Sequence, residues 1–414
     1  MRRPSSRTGL LAFALLAILV ATLWPVYEAR PQTWVSCIVC GEHGVADVLL
    51  NIVLFLPLGV ALGLGGRRIP QCVLLAALLS ASIELAQLLI PGRDASLGDV
   101  VSNTIGATLG AMLVRTAPAW LLPPPERSTR LSRVAALAAA ALCCVTGLLL
   151  APVFPDSLYY GQWTPNLGHL EWYRGRVLDA TIGALHVAPG PMSDTPLARE
   201  LLRSASGCSL HVRGIAGPRP AELASLFSIS DDRQREIILL GPDRDDLVFR
   251  FRTRAAALRL DQPDIRVTDA MEGMRAGDSL DVTVTREGRA CRVALNGRTA
   301  AGLGPTVGSG WGLLMYPEAL PAVLKGLLSA VWVGALFLPA AFWIRTRGEA
   351  VWVTAALVAG LVGAPALTPL VATPAIQWAA AALGLLTGAG LRVVVARRIR
   401  GGEAQRPRIT SAVS

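Results

Sequence analysis

Three carboxylic acids, three amides and one guanidinium stand at the rims of consecutive apolar segments: Asp47 and Asn51, Glu84 and Gln87, Arg93, then Asp99 and Asn103. Carboxylates at such a boundary can serve as general acids or bases or orient a substrate, and the planar fork of arginine suits phosphate. Glu84, Asp47 and Asp99 are therefore the candidate catalytic residues. Arg93, Asn51, Gln87 and Asn103 are the candidate substrate-binding residues, with Arg93 assigned to a phosphate. Three carboxylates are also a set that can hold a divalent cation, yet it contains no His, and His43 in the preceding loop reads as a solvated residue. The sequence assigns no metal ligand and identifies no cofactor.

These residues need helices to bring them together. Positions i and i+4 share a helix face, so Asp47 stacks on Asn51 and Asp99 on Asn103. The second stripe continues as Gly106 and Gly110, a spacing of small residues that lets a neighbouring helix come close. Glu84 and Gln87 fall in the last turns of the helix before Pro91-Gly92-Arg93, and helical rise puts Glu84 about 10 Å inward of Pro91. A carboxylate at that depth must be paired, protonated or facing a polar cavity, and Arg93 is the nearest candidate counter-ion. A structural alternative stays open, in which Asp47 and Asp99 are first-turn acids complementing helix dipoles and the whole set is caps and packing hydrogen bonds.

The chain of 414 residues is 52% hydrophobic and 16% charged, too apolar for a soluble domain. Eight stretches are long enough to span a bilayer, at about 9–27, 46–64, 69–90, 99–115, 134–153, 321–344, 349–369 and 374–396. The first has a basic flank but no small-x-small site before Trp24-Pro25, and reads as an uncleaved helix. Arginines mark every second connection (Arg2, Arg3 and Arg7; Arg67 and Arg68; Arg127, Arg130 and Arg133; Arg345 and Arg347; Arg397, Arg398 and Arg400), which assigns those segments and both termini to the cytoplasm. The cell membrane is then crossed several times, and 28–45, 91–98, 155–320 and 370–373 lie outside. In 155–320, 19 Arg face 20 Asp plus Glu, so the net charge of +10 comes from the membrane flanks. It reports topology rather than nucleic-acid binding.

The organisation that follows is a four-helix unit at 1–116, a cytoplasmic Pro-rich linker at 117–133 and a fifth span at 134–153. An extracytoplasmic domain at 155–320, three spans in 321–396 and a basic tail at 397–414 complete it. Gln377, Thr354 and Thr387 in the last spans read as interhelical hydrogen-bond formers. Within 155–320, β-rich segments recur between turns at 209–213, 226–230, 235–240, 246–252, 279–285 and 291–297. Phe249 and Phe251 alternate with Arg250 and Arg252, implying one apolar and one wet face, and Asn296-Gly297 reads as a tight hairpin. The expected fold is a multi-pass α-helical membrane protein of about eight helices with an inserted antiparallel β-sandwich. Outside the membrane, Cys37-x2-Cys40 reads as a local disulfide or free thiols, and a Cys208 to Cys291 bridge is unforced. Trp163, Trp172 and Tyr173 could stack on sugars, and Asp231, Asp232, Asp243, Asp245 and Asp246 could bind calcium; core packing and solvated turns explain them equally well.

The run Asp47-x3-Asn51-x3-Phe55-x-Pro57-x-Gly59, then Ser82-Ile-Glu84-x2-Gln87, then Pro91-Gly92-Arg93-x5-Asp99-x3-Asn103-x2-Gly106-x3-Gly110, resembles the VanZ-like membrane proteins over about 45–115. The resemblance implies a role in the bacterial cell envelope, where the type member looks like an accessory determinant of glycopeptide-antibiotic resistance. Residues of about 160–320 are similar in strand order to laminin-G or concanavalin-like jelly rolls, which implies glycan binding. Three functions follow as expectations. The first is an enzyme acting on lipid head groups or lipid-linked cell-wall or glycan precursors at the outer face. The second is a non-catalytic protein whose pocket binds lipid and whose sandwich binds extracellular glycan. A transporter is the third and weakest, because the polar residues sit near one face only.

Overall fold

The computed structural model describes residues 6–25, 38–39, 43–91, 93, 95–168, 170–204, 209–317 and 320–404. Cys37, Cys40 and Cys208 lie outside them. Four helices open the chain: α1 (Ser6–Leu23), α2 (Gly44–Leu64), α3 (Ile69–Gln87) and α4 (Leu97–Arg115). Their shared apolar core is built from Ala14, Ile18, Phe55, Leu58, Ala76, Ile83 and Ala107. Among the described residues seven helices have the length and hydropathy of a membrane span. The expected eighth is α1, whose 18 residues rise about 27 Å, slightly less than a typical hydrocarbon core.

The polar stretch expected as a linker is largely helical. A short helix Ala117–Trp120 ends before the proline run, and the next span begins at Pro125 and continues to Leu149. Proline tolerates a helix start because its missing N–H would be unpaired there anyway. The last three spans are Ala322–Phe342, Arg347–Leu367 and a helix Ala375–Ala404. In the second of these a π-helical turn at Ala359–Gly363 precedes Pro365. Gln377 bonds to Gly308 N at 3.1 Å and Thr306 Oγ1 at 2.7 Å, fastening its helix to the 3-10 helix Val307–Leu313 rather than to another span.

The inserted block is a sandwich of two antiparallel six-stranded sheets. Neighbour by neighbour, one contains Gly190–Pro191, Tyr159–Trp163, Phe227–Asp231, Glu236–Asp243, Asp246–Phe251 and Ile265–Val267. The other contains Arg298–Leu303, Ala290–Leu295, Ser279–Glu287, Ser209–Ile215, Arg176–Ile182 and Leu185–His186. Alternate residues of both, such as Ile229, Leu240, Val212 and Val282, meet in one core. The expected hairpin is present: Asn296 and Gly297 both have positive φ, at 48° and 83°, and Leu295 pairs with Arg298.

The expected wet face of the Phe249 strand is not wet. Arg250 holds both oxygens of Glu236, at 2.7 and 3.0 Å, and Arg252 reaches Asp231 at 3.4 Å. A further cluster of Leu223, Leu239 and Val248, covered by Leu167 and Leu170, closes the outer side of the same sheet. Alternation of Arg with Phe therefore marks ion pairing rather than solvent. Two aromatics expected at the surface are also inside: Tyr173 is buried with its hydroxyl accepting Gly217 N at 3.0 Å, and Trp163 packs on the core. Trp172 is exposed.

The sandwich sits against the helices. The carbonyl of Arg259 accepts from the N–H groups of Val45 and Ala46 at 3.3 and 3.4 Å, at the start of α2. One apolar cluster joins Ala46 of α2, Ala139 and Leu150 of the fifth span's helix and its exit, Ala255 and Leu260 of the sandwich, and Val333 of the next span.

Candidate functional site

Glycine decides how the site assembles. A Cβ on Gly106 would lie 2.2 Å from the carbonyl oxygen of Ile52, one on Gly110 2.2 Å from that of Leu56, and one on Gly59 1.9 Å from that of Ala107. Only hydrogen fits, so α2 and α4 pack backbone to backbone. At the end of that contact the side chain of Asn51 donates a hydrogen bond to the Asp99 carboxylate. Asp47, one turn earlier on α2, faces Asp99 closely enough for their charges to repel. Both acids lie in first turns, where a helix N-terminus favours negative charge.

Glu84 arrives from α3. Its carboxylate is buried at 8% exposure and accepts from the backbone N–H of Ser96 at 2.7 Å, and it lies within electrostatic reach of Asp99. Ser96 is the N-cap of α4, its hydroxyl accepting from Gly98 N at 3.1 Å. One turn inward, Asn103 donates to Ser80 Oγ at 2.9 Å, and both residues are buried. Glu84 over Ser80 on α3 thus faces Ser96 and Asn103 on α4.

The other two residues turn toward α1. Gln87 donates to the carbonyl of Thr22 at 2.9 Å. Arg93 donates through Nε to the carbonyl of Trp24 at 3.0 Å and through Nη2 to that of Ala21 at 2.8 Å. Arg93 therefore satisfies carbonyls at the C-terminal end of a helix, where cations are favoured. Glu84, its expected counter-ion, takes a backbone N–H instead.

All seven residues gather at one end of the four-helix unit, in three linked groups: Asp47, Asn51 and Asp99; Glu84 with Ser96; Gln87 and Arg93 on α1. The carboxylates are not close enough to make a metal-ligand cluster among the described residues. Within the set the carbonyl oxygens of Gln87 and Asn103 are buried and accept no hydrogen bond from the described protein atoms. Each unmet acceptor costs about 1–3 kcal/mol unless a donor reaches it. The arrangement is thus rich in acceptors and suits a group that donates, such as a hydroxyl or an amine.

Sequence reasoning missed Ser80, Ser96 and Thr22. Ser80 was legible, lying four residues before Glu84 on the same face, and Ser96 stands three before Asp99 as an N-cap should. Thr22 takes part through its backbone carbonyl, which no residue type announces. In the sandwich, four of the acids considered for calcium are ion-paired instead: Asp231 with Arg235 at 2.7 Å, Asp243 and Asp246 with Arg266 at 2.7 and 2.9 Å, and Asp245 with Arg219.

Residues 18–120 match the family model described as VanZ/LLP1. No curated protein and no solved structure matches the chain.

Proposed function

We propose, from the premise that residues 18–120 form a VanZ-like domain, that its polar end recognises and transforms a lipid head group or a lipid-linked cell-wall or glycan precursor. Glu84 is the proton-transferring group. Asp47 and Asp99 orient the substrate, Asn51 holds Asp99, and the amide oxygens of Gln87 and Asn103 accept its hydroxyl or amine protons. The observation that carries this reading is the buried Glu84 carboxylate at the same end of the four-helix unit as two buried amide acceptors that no described residue meets. A phosphate contact from Arg93 belongs to the proposal in a reduced form, because that side chain also holds the end of α1.

The arginine pattern supports placing this end at the outer face of the cell membrane with both termini inside. The contact of Arg259 with the start of α2 supports an extracytoplasmic sandwich on that same side. A jelly-roll glycan binder is the proposed role of the sandwich, and it rests on exposed Trp172.

A second reading has its own support. Glu84, Gln87 and Arg93 all bind backbone groups of neighbouring segments, as a purely structural or lipid-binding network would. Reconstitution of the full chain into liposomes, with head-group release and transfer followed by mass spectrometry, separates the two. Glu84→Gln keeps a hydrogen-bond acceptor for Ser96 N, so on the catalytic reading it folds, binds lipid and has no turnover. Turnover equal to wild type would refute the catalytic reading and leave the binding protein.

A further inference from the structure

The helix that carries Asp47 and Asn51 does not cap itself. The first N–H groups of a helix have no partner within it, and at the start of α2 the residue in the capping place, His43, makes no side-chain hydrogen bond to them. The sandwich supplies the acceptor: the carbonyl of Arg259 takes the N–H groups of Val45 and Ala46, the two residues before Asp47. The guanidinium of the same arginine donates to the carbonyl of Val39 at 2.7 Å. Ile38 and Val39 in turn lie against both helices that build the polar end. A Cβ on Gly98, beside Asp99 in the first turn of α4, would lie 2.2 Å from the carbonyl oxygen of Ile38, and one on Gly44 3.0 Å from the carbonyl carbon of Val39. Arg259 thus holds α2 with its backbone and, with its side chain, the segment pressed against the starts of α2 and α4.

Arg259 stands where a chain commonly has glycine. The short helix Arg254–Ala257 ends in a turn in which Arg259 N donates to Ala256 O and Leu260 N to Ala255 O, both at 3.1 Å, and Arg259 has a φ of 54°. That left-handed position after a helix favours glycine, because a Cβ there crowds the backbone. The turn by itself therefore does not account for an arginine, whereas the contact with Val39 does. The turn is also held from its other side: Asp261 N donates to Leu313 O at 2.9 Å, and Asp261 Oδ2 accepts from Tyr316 N at 2.7 Å, in the segment leading to the span Ala322–Phe342. Ala255 and Leu260 are buried in one apolar cluster with Ala46 of α2. Arg259 is presented to α2 from a fixed mount.

We propose that Arg259 is a positioning residue for the polar end, through which the sandwich sets the start of α2 against α4 and with it the contact of Asn51 with Asp99 and the spacing of Asp47 from Asp99. The sandwich then serves the membrane site directly, whatever glycan it binds. The consequence for turnover rests on the head-group reading of that site, since a displacement of about 1 Å in a reacting geometry can slow the chemistry ~100-fold. The consequence for packing does not rest on it.

The test uses the full chain in liposomes with two readouts, backbone amide exchange followed by mass spectrometry and head-group turnover. Arg259→Gly relaxes the turn and keeps its carbonyl, so it removes the hold on Val39 alone. Peptides covering 44–51 and 97–103 then exchange about tenfold faster, the worth of one hydrogen bond from a charged donor, while 227–243 in the sandwich core exchanges as in wild type. Turnover falls about tenfold in kcat with KM little changed, because the reacting groups are misplaced rather than lost. Arg259→Lys, which still offers a charged donor on a long stem, recovers most of both. Should Arg259→Gly fail to fold, Arg259→Asn takes its place, since asparagine also accepts positive φ and is too short to reach Val39. Unchanged exchange at 44–51 and 97–103, faster exchange in the sandwich core as well, wild-type turnover in the glycine or asparagine variant, or no recovery with lysine overturns the proposal. If wild type itself shows no turnover, the catalytic reading of the polar end falls, and amide exchange alone decides the role of Arg259.

Discussion

Gly106→Ala offers the most direct test of how the polar end is held together. The added methyl carbon would start 2.2 Å from the carbonyl oxygen of Ile52. A relaxed carbon to oxygen contact is near 3.3 Å, so α2 and α4 must part by about 1 Å. The obstructing atom is backbone, which no rotamer change can remove, so the cost belongs at the upper part of the ~1–3 kcal/mol typical of overpacking. Parting the helices also stretches the hydrogen bond from Asn51 to Asp99, about two turns away along α4. Gly9→Ala is the control, because nothing lies within 4 Å of its Cβ position and alanine is the better helix former. Unfolding midpoints in mixed micelles of increasing denaturing-detergent fraction give the comparison. If Gly106→Ala unfolds like Gly9→Ala, the backbone-to-backbone packing is wrong, and the geometry of the polar end with it.

Further outcomes follow from individual contacts. Glu84→Ala leaves Ser96 N without its acceptor and opens a cavity, costing about 2–4 kcal/mol, whereas Glu84→Gln costs less than about 1.5 kcal/mol; equal losses in thermal unfolding would mean Ser96 N finds another partner. Arg93→Ala releases two carbonyls of α1 and lowers stability by about 2 kcal/mol, and Arg93→Lys recovers only part, since a point charge cannot replace the fork; full recovery by lysine would contradict the contact seen. Burial alone would raise the pKa of Asp231, but hydrogen bonds from the Arg235 side chain and the backbone N–H groups of Arg235 and Arg233 outweigh it and hold the carboxyl below the usual range. A depressed native pKa means the unfolded chain binds the proton first, so this stabilisation is complete above about pH 4 and fades as pH falls through the native value. The stability gap between wild type and Asp231→Asn should therefore shrink on acidification below about pH 4, and a constant gap would refute the assignment.

The spans and the polar end were largely legible because a bilayer restricts what a chain can do. Long apolar runs have to be helices, and the fixed periodicity of a helix puts Asp47 with Asn51 and Asp99 with Asn103 before any contact is known. The spacing of Gly106 and Gly110 announced close packing, although the partner, Ile52 and Leu56 of α2, could not be read from it. The Asn296-Gly297 turn was legible for the same local reason: few residues accept two positive φ angles in succession.

Sequence alone thus determined the spans, the sandwich and the gathering of seven polar groups at one end, since each depends on periodicity and local backbone preference. Only the tertiary structure decided the partners. It turned Arg93 to carbonyls at the end of α1, gave Glu84 the N–H of Ser96, and paired the arginines of the Phe249 strand with Glu236 and Asp231. It also brought Arg259 of the sandwich onto the start of α2, far away in the chain. A hydrogen-bond donor selects whichever acceptor the fold brings within about 3 Å, and that choice depends on how separate helices and sheets pack rather than on spacing along one of them.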